Sequence, residues 1–479
     1  MEKMKPLWQH QQDALTRIRR SCQGNWFGFG LFMSPGTGKT RVIVEQIRYL
    51  CNEKKRYMKV IIFCPPVVIK QWKEEILANS RIDDKRIVCL TGSGKKRLKD
   101  FLECGNAHIF ITNYESLLMP ELFNAMFAWG PEVMVLDESH RIKNHSAKRT
   151  KLALRLGKIA TYRYILTGSP ILNSLEDIYT QMAFVKEDLF PKNFFAFRHT
   201  YMYDANRNMP RHKYFPNWKP KPDAEAALNR KIAPHIFKAR KEDCLTLPPF
   251  IKKRIEVEMT PEQEKAYRQM EKQFITYMKD DSAVTAELAI TKTLRMRQIL
   301  SGFAKDAEDK IHQFYDFPRM EALKDLLQDI AYAEKVIVWS EFRENYSQIA
   351  VTVQNLKLGY KLLVGGMTEN EREDAIKSFR TDPTVRVLIA NPGAGGIGVN
   401  LVQASHMIYY SRSPSLEHDI QSEARAYRGG SEMHEKITRW DIVCPNTLDD
   451  VILKALEEKQ RVGDVIVGWA KGNSNPTPQ

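Results

Sequence analysis

The sequence lacks the cysteine pairs, the apolar leader and the long apolar segment that would indicate a secreted or membrane protein. Its seven cysteines are an odd number and none stands in a Cys-x-x-Cys pair, so we expect reduced thiols and no structural zinc site. The longest run without an ionised side chain, residues 387–411, contains Asn, Pro and several Gly residues, which makes it a poor membrane span. Residues 1–5 have no signal-peptide core. We therefore expect a cytoplasmic protein without membrane contact.

The second half of the chain has almost no net charge, whereas the first half is strongly basic. Residues 251–479 contain 31 Lys and Arg against 34 Asp and Glu, a net charge of −3. Residues 1–250 contain 42 against 24, a net charge of +18. A polyanion such as nucleic acid is the natural partner of this excess. A basic surface that serves only solubility remains the alternative.

Apolar runs of four to six residues alternate with amphipathic helical patterns along the chain. This alternation predicts an α/β fold with mostly parallel sheets that helices cover on both faces. The strands fall into two groups, over about 28–167 and 335–410, so we predict two lobes. The predicted strands are 28–33, 60–64, 109–112, 133–136, 164–167, 335–340, 385–390 and 407–410.

Composition also predicts where the domains begin and end. We expect an N-terminal lobe over 1–247, a C-terminal lobe over 248–470 that follows a Pro-Pro linker, and a flexible polar tail over 471–479. Aromatic and basic residues are interleaved at about 185–240, where we predict a helical insertion in the first lobe. Such a segment could stack on and grip nucleic acid, although a small core of its own is the simpler explanation.

The strongest motif follows the first predicted strand and opens a helix. Residues 33–40 read Met-Ser-Pro-Gly-Thr-Gly-Lys-Thr, which is a phosphate-binding loop with Met in place of the first Gly. Its backbone N–H groups would surround phosphate oxygens, Lys39 would reach the β- and γ-phosphates of a nucleoside triphosphate, and Thr40 would place a hydroxyl on Mg²⁺. The candidate nucleotide-binding residues of this loop are Gly36, Thr37, Gly38, Lys39 and Thr40.

Two acids follow the apolar strand at 133–136. Asp137 would hold Mg²⁺, and Glu138 would orient the water that attacks the γ-phosphate. The turn at 166–170, Leu-Thr-Gly-Ser-Pro, follows another strand and offers short hydroxyl side chains that could bond these acids. An acid pair alone is most often a solvated strand end, but together with the phosphate loop it predicts hydrolysis of a nucleoside triphosphate.

The second group of strands carries weaker motifs. A glycine-rich segment at 394–401 follows the strand at 385–390, and glycine allows close approach of a ligand. In the segment 421–428, Arg425 and Arg428 stand three residues apart, which places both on one face of a predicted helix. Two guanidinium groups suit a transferring phosphoryl group, but this segment alone reads more simply as a solvated helix face.

In this order the segments resemble the superfamily-two helicases and, among them, the Swi/Snf-related DNA translocases. The resemblance extends over about residues 5–465, and the long forms of the motifs at 137–144 and 166–175 favour this branch. Three segments depart from the family pattern. Ser139 stands where the family has Ala, residues 391–393 stand where it has Ser-Thr with a basic residue, and residues 429–431 stand where it has Ile-Gly-Gln. The matching segments are 7–11, 60–75, 112–115, 137–144, 166–175, 294–299, 336–340, 394–401 and 421–428.

The resemblance implies two RecA-like lobes, each a mostly parallel sheet flanked by helices, with helical insertions between the motifs at 166–175 and 336–340 and with ATP and Mg²⁺ in the cleft. It implies that Gln11 and Gln421 contact the nucleotide and that Arg425 and Arg428 act as arginine fingers. The catalytic residues would be Lys39, Asp137, Glu138, Arg425 and Arg428, with Thr40 and Asp137 at the metal. The implied nucleic-acid-binding residues are Pro65, Thr112, Asn113, Tyr114, Ser340, Gly395 and Gly396.

We therefore expect a DNA-dependent ATPase that translocates on double-stranded DNA and remodels DNA or protein–DNA complexes, in a bacterial or phage-infected cell. Two alternatives stay open. One is a strand-separating DNA or RNA helicase of the same superfamily, and the other is an ATP-gated nucleic-acid clamp that does not move. The biological process and any protein partner do not follow from the sequence.

Overall fold

The computed structural model describes most of the chain, in two compact units, Met1–Leu245 and Thr246–Gln479. The boundary predicted between 247 and 248 is two residues further along the chain. The predicted tail at 471–479 and the glycines Gly395 and Gly396 lie outside the described residues. The described residues are 6–21, 27–171, 174–210, 214, 216–279, 286–305, 308, 310–314, 317–393, 399–458, 462, 465–466 and 469.

The first unit is a parallel sheet with helices on both faces. Its helices are α1 (Gln9–Ser21), α2 (Lys39–Lys54), α3 (Ile69–Asn79), α4 (Gly94–Glu103), α5 (Pro120–Trp129), α6 (Lys148–Gly157), α7 (Ile178–Val185), α8 (Phe194–Tyr201), α9 (Ala224–Ile232) and α10 (Lys241–Cys244). Its strands are β1 (Phe27–Met33), β2 (Val60–Phe63), β3 (Ile87–Leu90), β4 (Ile109–Thr112), β5 (Val133–Asp137), β6 (Tyr162–Thr167), β7 (Met202–Asp204), β8 (Trp218–Pro220) and β9 (Ile236–Ala239).

Seven of these strands form one sheet in the order β3-β4-β2-β5-β6-β1-β9, and every pairing in it is parallel. Alternate residues of β5 enter two different cores. Val133 and Val135 pack on one face of the sheet, and Met134 and Leu136 pack on the other. Because both faces are dry, the central strands are continuous apolar runs, which is why they could be predicted from sequence.

The segment at 185–240 differs from the helical insertion that was predicted. It contains α8 and α9, but also the antiparallel ribbon of β7 and β8. Its last part, β9, is a strand of the main sheet and pairs with β1. The prediction was wrong for these strands because two of them have only three residues and β9 has only four, too short for a periodic pattern.

The second unit is also a parallel sheet flanked by helices. Its helices are α11 (Pro261–Lys279), α12 (Ala286–Leu300), α13 (Pro318–Ile330), α14 (Arg343–Asn355), α15 (Glu369–Thr381), α16 (Leu416–Ala426) and α17 (Leu448–Glu457). Its strands are β10 (Phe250–Glu256), β11 (Phe303–Lys305), β12 (Ile311–Gln313), β13 (Lys335–Trp339), β14 (Gly359–Leu363), β15 (Val385–Ala390), β16 (Ala404–Tyr409) and β17 (Ile437–Val443). The six-stranded sheet has the order β10-β17-β16-β13-β15-β14.

All pairings in the six-stranded sheet are parallel, so the predicted α/β class with two parallel-sheet lobes is confirmed. Helix α11 begins with a capping box, since the Gln263 amide N–H donates to Thr260 Oγ1 at 3.2 Å and the Thr260 amide donates to Gln263 Oε1 at 3.4 Å. All eight predicted strands are present, with ends shifted by at most three residues. No helix in the described part of the chain is long and apolar enough to span a bilayer.

Candidate active site

Three neighbouring strands of the first unit end at the same edge of the sheet. β6 lies between β5 and β1, and in its pairing Phe32 is level with Thr167 while Asp137 is level with Leu166. Because all three strands are parallel, the loops that follow them emerge side by side. The phosphate loop after β1, the turn after β6 and the acids after β5 are therefore brought together, as ligand sites are in open α/β sheets.

The phosphate loop turns on two glycines with left-handed backbone angles. Gly36 has a φ of 87° and Gly38 a φ of 79°, and Gly38 is the residue that precedes the first turn of α2. This φ favours glycine, and a Cβ at Gly38 would also lie 2.2 Å from Gln11 Nε2, so the Gln11 side chain would have to move. The loop therefore directs the N-terminus of α2 and its free N–H groups to the strand edge, which favours an anion.

Side chains from two helices, α1 and α2, hold this loop. His10 Nε2 lies 2.8 Å from the Thr37 carbonyl, and Gln11 Nε2 donates to the same oxygen at 3.4 Å. The Lys39 ammonium donates to the Met33 carbonyl at 2.8 Å, across the loop. Gln11 is thus placed beside the phosphate loop, as predicted for a nucleotide contact, and His10 is a neighbour that the sequence reading did not single out.

Asp137 is buried at the end of β5 with both carboxylate oxygens hydrogen-bonded. The indole Nε1–H of Trp72 donates to Oδ2 at 2.8 Å, and the Glu138 amide donates to Oδ1 at 3.0 Å. Burial and the Glu138 charge raise the pKa of Asp137 to about 6, while the Trp72 hydrogen bond and the Lys39 charge oppose that rise. A buried carboxylate facing a lysine and a phosphate loop is a suitable ligand for a hard divalent cation.

Glu138 has a backbone conformation that is unusual for a residue with a side chain. Its φ is 51°, in the left-handed region, and its carboxylate Oε2 lies 3.3 Å from His140 Nδ1. That ring nitrogen is also 3.5 Å from Thr167 Oγ1, which in turn accepts from the Ser169 amide at 3.1 Å. The second acid is thereby connected to the turn after β6 through the His140 ring.

Two further residues join the motifs, and their roles could not be read from sequence. Ser139, which stands where the resembled family has Ala, is fully buried and donates to Gln181 Oε1 on α7 at 2.7 Å. Gln181 Nε2 donates to the Pro170 carbonyl at 2.7 Å. A Cβ at Gly168 would lie 2.7 Å from Pro35 Cδ, so the turn after β6 packs directly on the phosphate loop.

The side chains expected to touch nucleic acid are instead bonded inside their own units. Thr112 is fully buried and its Oγ1 is 2.6 Å from Ser116 Oγ, while the Asn113 Oδ1 accepts from Arg97 at 2.7 Å. The Tyr114 hydroxyl donates to the Asp137 carbonyl at 2.7 Å, which ties this segment to the acids. Pro65 is also buried. Nucleic-acid contacts from these segments would therefore come from their backbone or their exposed neighbours.

The same holds at the strand ends of the second unit. Ser340 is fully buried, with its Oγ 3.1 Å from Ser411 Oγ. Asn391, which replaces the expected hydroxyl residue after β15, donates from Nδ2 to the Tyr346 hydroxyl at 2.8 Å and to the Glu341 carbonyl at 3.0 Å. This departure from the family pattern therefore links the loop after β15 to the loop after β13 and to helix α14.

The two arginines of the second unit do not share a helix face. Helix α16 ends at Ala426, and Tyr427 follows with φ −91° and ψ 83°, so Arg428 lies beyond the helix and the predicted spacing on one face was wrong. Arg425 is buried in the last turn, and Gln421 lies one turn earlier, where its Nε2 donates to Glu417 at 3.1 Å. Burial and the charge of Arg380 lower the pKa of Arg428 to about 10.

A buried ion-pair network attaches α16 to the sheet. Asp419 on the helix pairs with Arg412 and Arg439, and Asp441 on β17 pairs with the same two arginines. Their guanidinium carbons lie 4.1 and 4.9 Å from the centroid of the Tyr409 ring. The two arginines lower the pKa of the Asp419 carboxyl against the opposing effect of burial. The helix that carries Arg425 is thus fixed by charges from three segments.

Replacing Asp441 with Asn should destabilise the second unit, because two buried guanidinium groups would lose a carboxylate. We expect the free energy of unfolding to fall by about 3–5 kcal/mol, the usual result of breaking a buried ion pair. Urea unfolding, monitored through hydrogen exchange of the backbone amides of β16 and β17, measures this change in the free energy of unfolding. The matched control is Asp374→Asn, whose exposed ion pair with Lys361 should contribute far less to stability. An equal effect of the two substitutions would contradict the assigned role of the network.

A glycine loop that leads from a strand into a helix N-terminus, beside a lysine and two buried acids, defines a P-loop nucleoside-triphosphate-binding protein. The residues present fit ATP with Mg²⁺, since two glycines with positive φ lead into the N-terminus of α2 and Asp137 offers a buried carboxylate. Comparison with known proteins defines the family. The profile described as "SNF2-related domain" matches residues 10–308, and "Helicase conserved C-terminal domain" matches 318–430. The chain therefore belongs to the SNF2-related family of helicase-like ATPases.

Individual relatives are distant. The chain is similar to "Chromodomain-helicase-DNA-binding protein 1-like" of Mus musculus, with 25% identity over 95% of this chain and 51% of that protein. It is also similar to an uncharacterized ATP-dependent helicase of Mycoplasma genitalium, with 24% identity over 95% of this chain and 42% of that protein. This chain thus spans about half the length of the curated relatives it matches. A solved Sulfolobus solfataricus SWI2/SNF2 ATPase core in complex with dsDNA has 22% identity and a TM-score of 0.44, over 98% of this chain and 94% of that chain.

Proposed function

We propose that this protein is a DNA-dependent ATPase that translocates on double-stranded DNA and remodels DNA or protein–DNA complexes. The observation that carries the proposal is the juxtaposition at one sheet edge of the phosphate loop with a buried acid pair, in a chain of the SNF2-related family. Relatives named for helicase activity and DNA binding support the choice of polymer. The net charge of +18 over residues 1–250 supports a grip on backbone phosphates.

In the proposed reaction, each functional residue of the first unit would have a separate role in binding or hydrolysing ATP. The N–H groups at the start of α2 and the Lys39 ammonium would bind the phosphates, and Asp137 with Thr40 would hold Mg²⁺, which neutralises phosphate charge when it is bound. Glu138, close to His140, would accept a proton from the attacking water. Gln11 would contact the base.

In the proposed cycle, Arg425 and Arg428 of the second unit complete the charge stabilisation when the two lobes close on ATP. Hydrolysis would release that closure, so nucleic acid held by both lobes would be gripped in alternation and advanced. Arg425 is the stronger candidate for an arginine finger because α16 is fixed by the buried network, whereas Arg428 lies beyond the helix end.

Two DNA substrates, a triplex and a forked duplex, test whether the protein moves along DNA without separating its strands. We expect duplex-stimulated ATP turnover and ATP-dependent displacement of a triplex-forming strand, with little unwinding of a plain forked duplex, because strand separation costs about 1.4 kcal/mol per base-pair step. Gel electrophoresis of labelled strands gives both readouts, and Glu138→Gln is the control without turnover. Efficient release of a strand from the fork without triplex displacement would favour the helicase alternative. DNA binding without ATP turnover that depends on the length of the DNA would favour the ATP-gated clamp.

Trp72 should set the affinity of Asp137 for the metal, because its indole N–H orients that carboxylate and favours the ionised form. We expect Trp72→Phe to raise the Mg²⁺ concentration for half-maximal ATP turnover about 10-fold or more. At limiting Mg²⁺ the loss of activity on acidification should begin at higher pH than in the parent, since removing the hydrogen bond raises the pKa of Asp137 further. Trp440→Phe, which removes an indole hydrogen bond to His406, is the control. An unchanged Mg²⁺ requirement would contradict the role of Trp72.

A further inference from the structure

The ribbon of β7 and β8 presents an aromatic ring and a cation side by side to solvent. In its register Tyr203 is directly opposite Lys219, so both side chains lie on the same face. The Tyr203 side chain is 45% exposed, and Lys219 is exposed as well. On the opposite face Met202 is buried in the core of the first unit. The ribbon is therefore anchored by one face and open on the other.

The charge of the ribbon is almost entirely positive. Residues 202–221 contain five Lys and Arg and one acid, Asp204. That acid is used internally, since it accepts hydrogen bonds from the Tyr214 hydroxyl at 2.5 Å and from the amides of Asn206 and Asn217 at 3.0 and 2.8 Å. Lys221 donates to the His199 carbonyl, which leaves its charge without a counter-ion. Neither Lys219 nor Lys221 is ion-paired with any acid in the described ranges.

An open aromatic ring beside a cation matches a particular form of nucleic acid. Duplex DNA exposes phosphates but keeps the faces of its bases stacked, so it gains nothing from a tyrosine face. An unpaired strand offers both a free base face and phosphates, and base stacking on an aromatic side chain is a common way of binding it. The ribbon is thus suited to single-stranded nucleotides.

We propose that the β7–β8 ribbon is a second nucleic-acid site that binds single-stranded DNA, stacking a base on Tyr203 with Lys219 and Lys221 at the phosphates. This goes beyond the proposed function, which concerns a duplex and the ATP cycle. It implies that a duplex with a single-stranded tail is bound more tightly than a blunt one, so a junction is the preferred loading point.

The test distinguishes base stacking from charge attraction, and it uses the full chain in the absence of ATP. Fluorescence anisotropy compares a labelled 15-nucleotide oligo-dT with an abasic oligomer of the same length and charge. We expect oligo-dT to bind about 5- to 150-fold more tightly than the abasic oligomer, the usual range for stacking of one base. Tyr203→Ala should remove most of that difference, and Tyr203→Trp should keep it.

Further variants distinguish the ribbon from the rest of the surface. Lys219→Gln should weaken both oligomers alike and reduce the salt slope by about 1. Tyr332→Ala, which removes another exposed tyrosine, on the second unit, should have no effect. Equal binding of the two oligomers by the parent, or an unchanged ratio in Tyr203→Ala with native thermal unfolding, overturns the proposal. Because ATP is absent, this result is independent of whether duplex-stimulated turnover is found.

Discussion

Glu138→Gln is expected to reduce ATP turnover by about 10² to 10⁴ while leaving ATP binding intact, because glutamine has nearly the same shape but cannot accept the proton of the attacking water. The substitution keeps the backbone at its φ of 51° and the room beside His140, so the loop should not rearrange. Single-turnover hydrolysis of radiolabelled ATP gives the rate, and a fluorescent ATP analogue gives the affinity.

The matched control is Glu115→Gln, which changes an acid in the same unit whose partner is the surface residue Arg149. Its turnover should remain within about two-fold of the parent, as for ordinary surface substitutions. If Glu138→Gln hydrolyses ATP at nearly the parent rate, another group must activate the water. A parallel loss of ATP affinity would instead place Glu138 in ground-state binding.

Arg425→Lys should have a still larger effect on turnover, about 10³ to 10⁵, if Arg425 is an arginine finger. Lysine keeps the positive charge but cannot provide the planar, two-pronged donor geometry of a guanidinium group. ATP affinity should change little, because the interaction is expected only when the phosphoryl group transfers. Stopped-flow measurement of phosphate release, with duplex DNA present, separates the two quantities.

Because Arg425 is buried, its substitution needs a folding control. Thermal unfolding of Arg425→Lys should match the parent, and Arg386→Lys, at a half-buried arginine that donates to the Ala333 backbone carbonyl, should retain turnover. Arg428→Lys is tested separately, since the two arginines are not helix neighbours. Equal losses of binding and hydrolysis in Arg425→Lys would contradict the finger role.

Apolar runs predicted most of the central strands, but the short uncharged strand β3 and the charged strand β17 were both missed. Residues 133–136 are all hydrophobic, whereas β17 contains Arg439 and Asp441 in its buried interior. These charges are compensated by Arg412 and Asp419, which are 20 or more residues away and become neighbours only in the folded sheet. Strand β10 was missed for a similar reason, since its Lys and Arg residues lie at a sheet edge.

The functional site, like the fold, could be predicted from the sequence only in part. Spacing was enough to find the phosphate loop and the acids, because their chemistry is carried by consecutive residues. The role of Trp72 at Asp137 depends on a hydrogen bond across 65 positions of the chain, and that of Gln181 at Ser139 on one across 42. The helix end before Arg428 was visible only as the Gly-Gly that follows it, of which Gly430 has a φ of 104°.

The pairing of β9 with β1 has a consequence for how the first unit is synthesised. β1 precedes the phosphate loop, and the Ser34 amide that begins this loop donates to the Ala239 carbonyl at the end of β9 at 2.9 Å. Nearly the whole unit must leave the ribosome before this bond can form. Until then β1 is an open sheet edge with unpaired backbone groups, a position that invites pairing with other chains. A truncated fragment of the first lobe should therefore extend through residue 239 to be worth purifying.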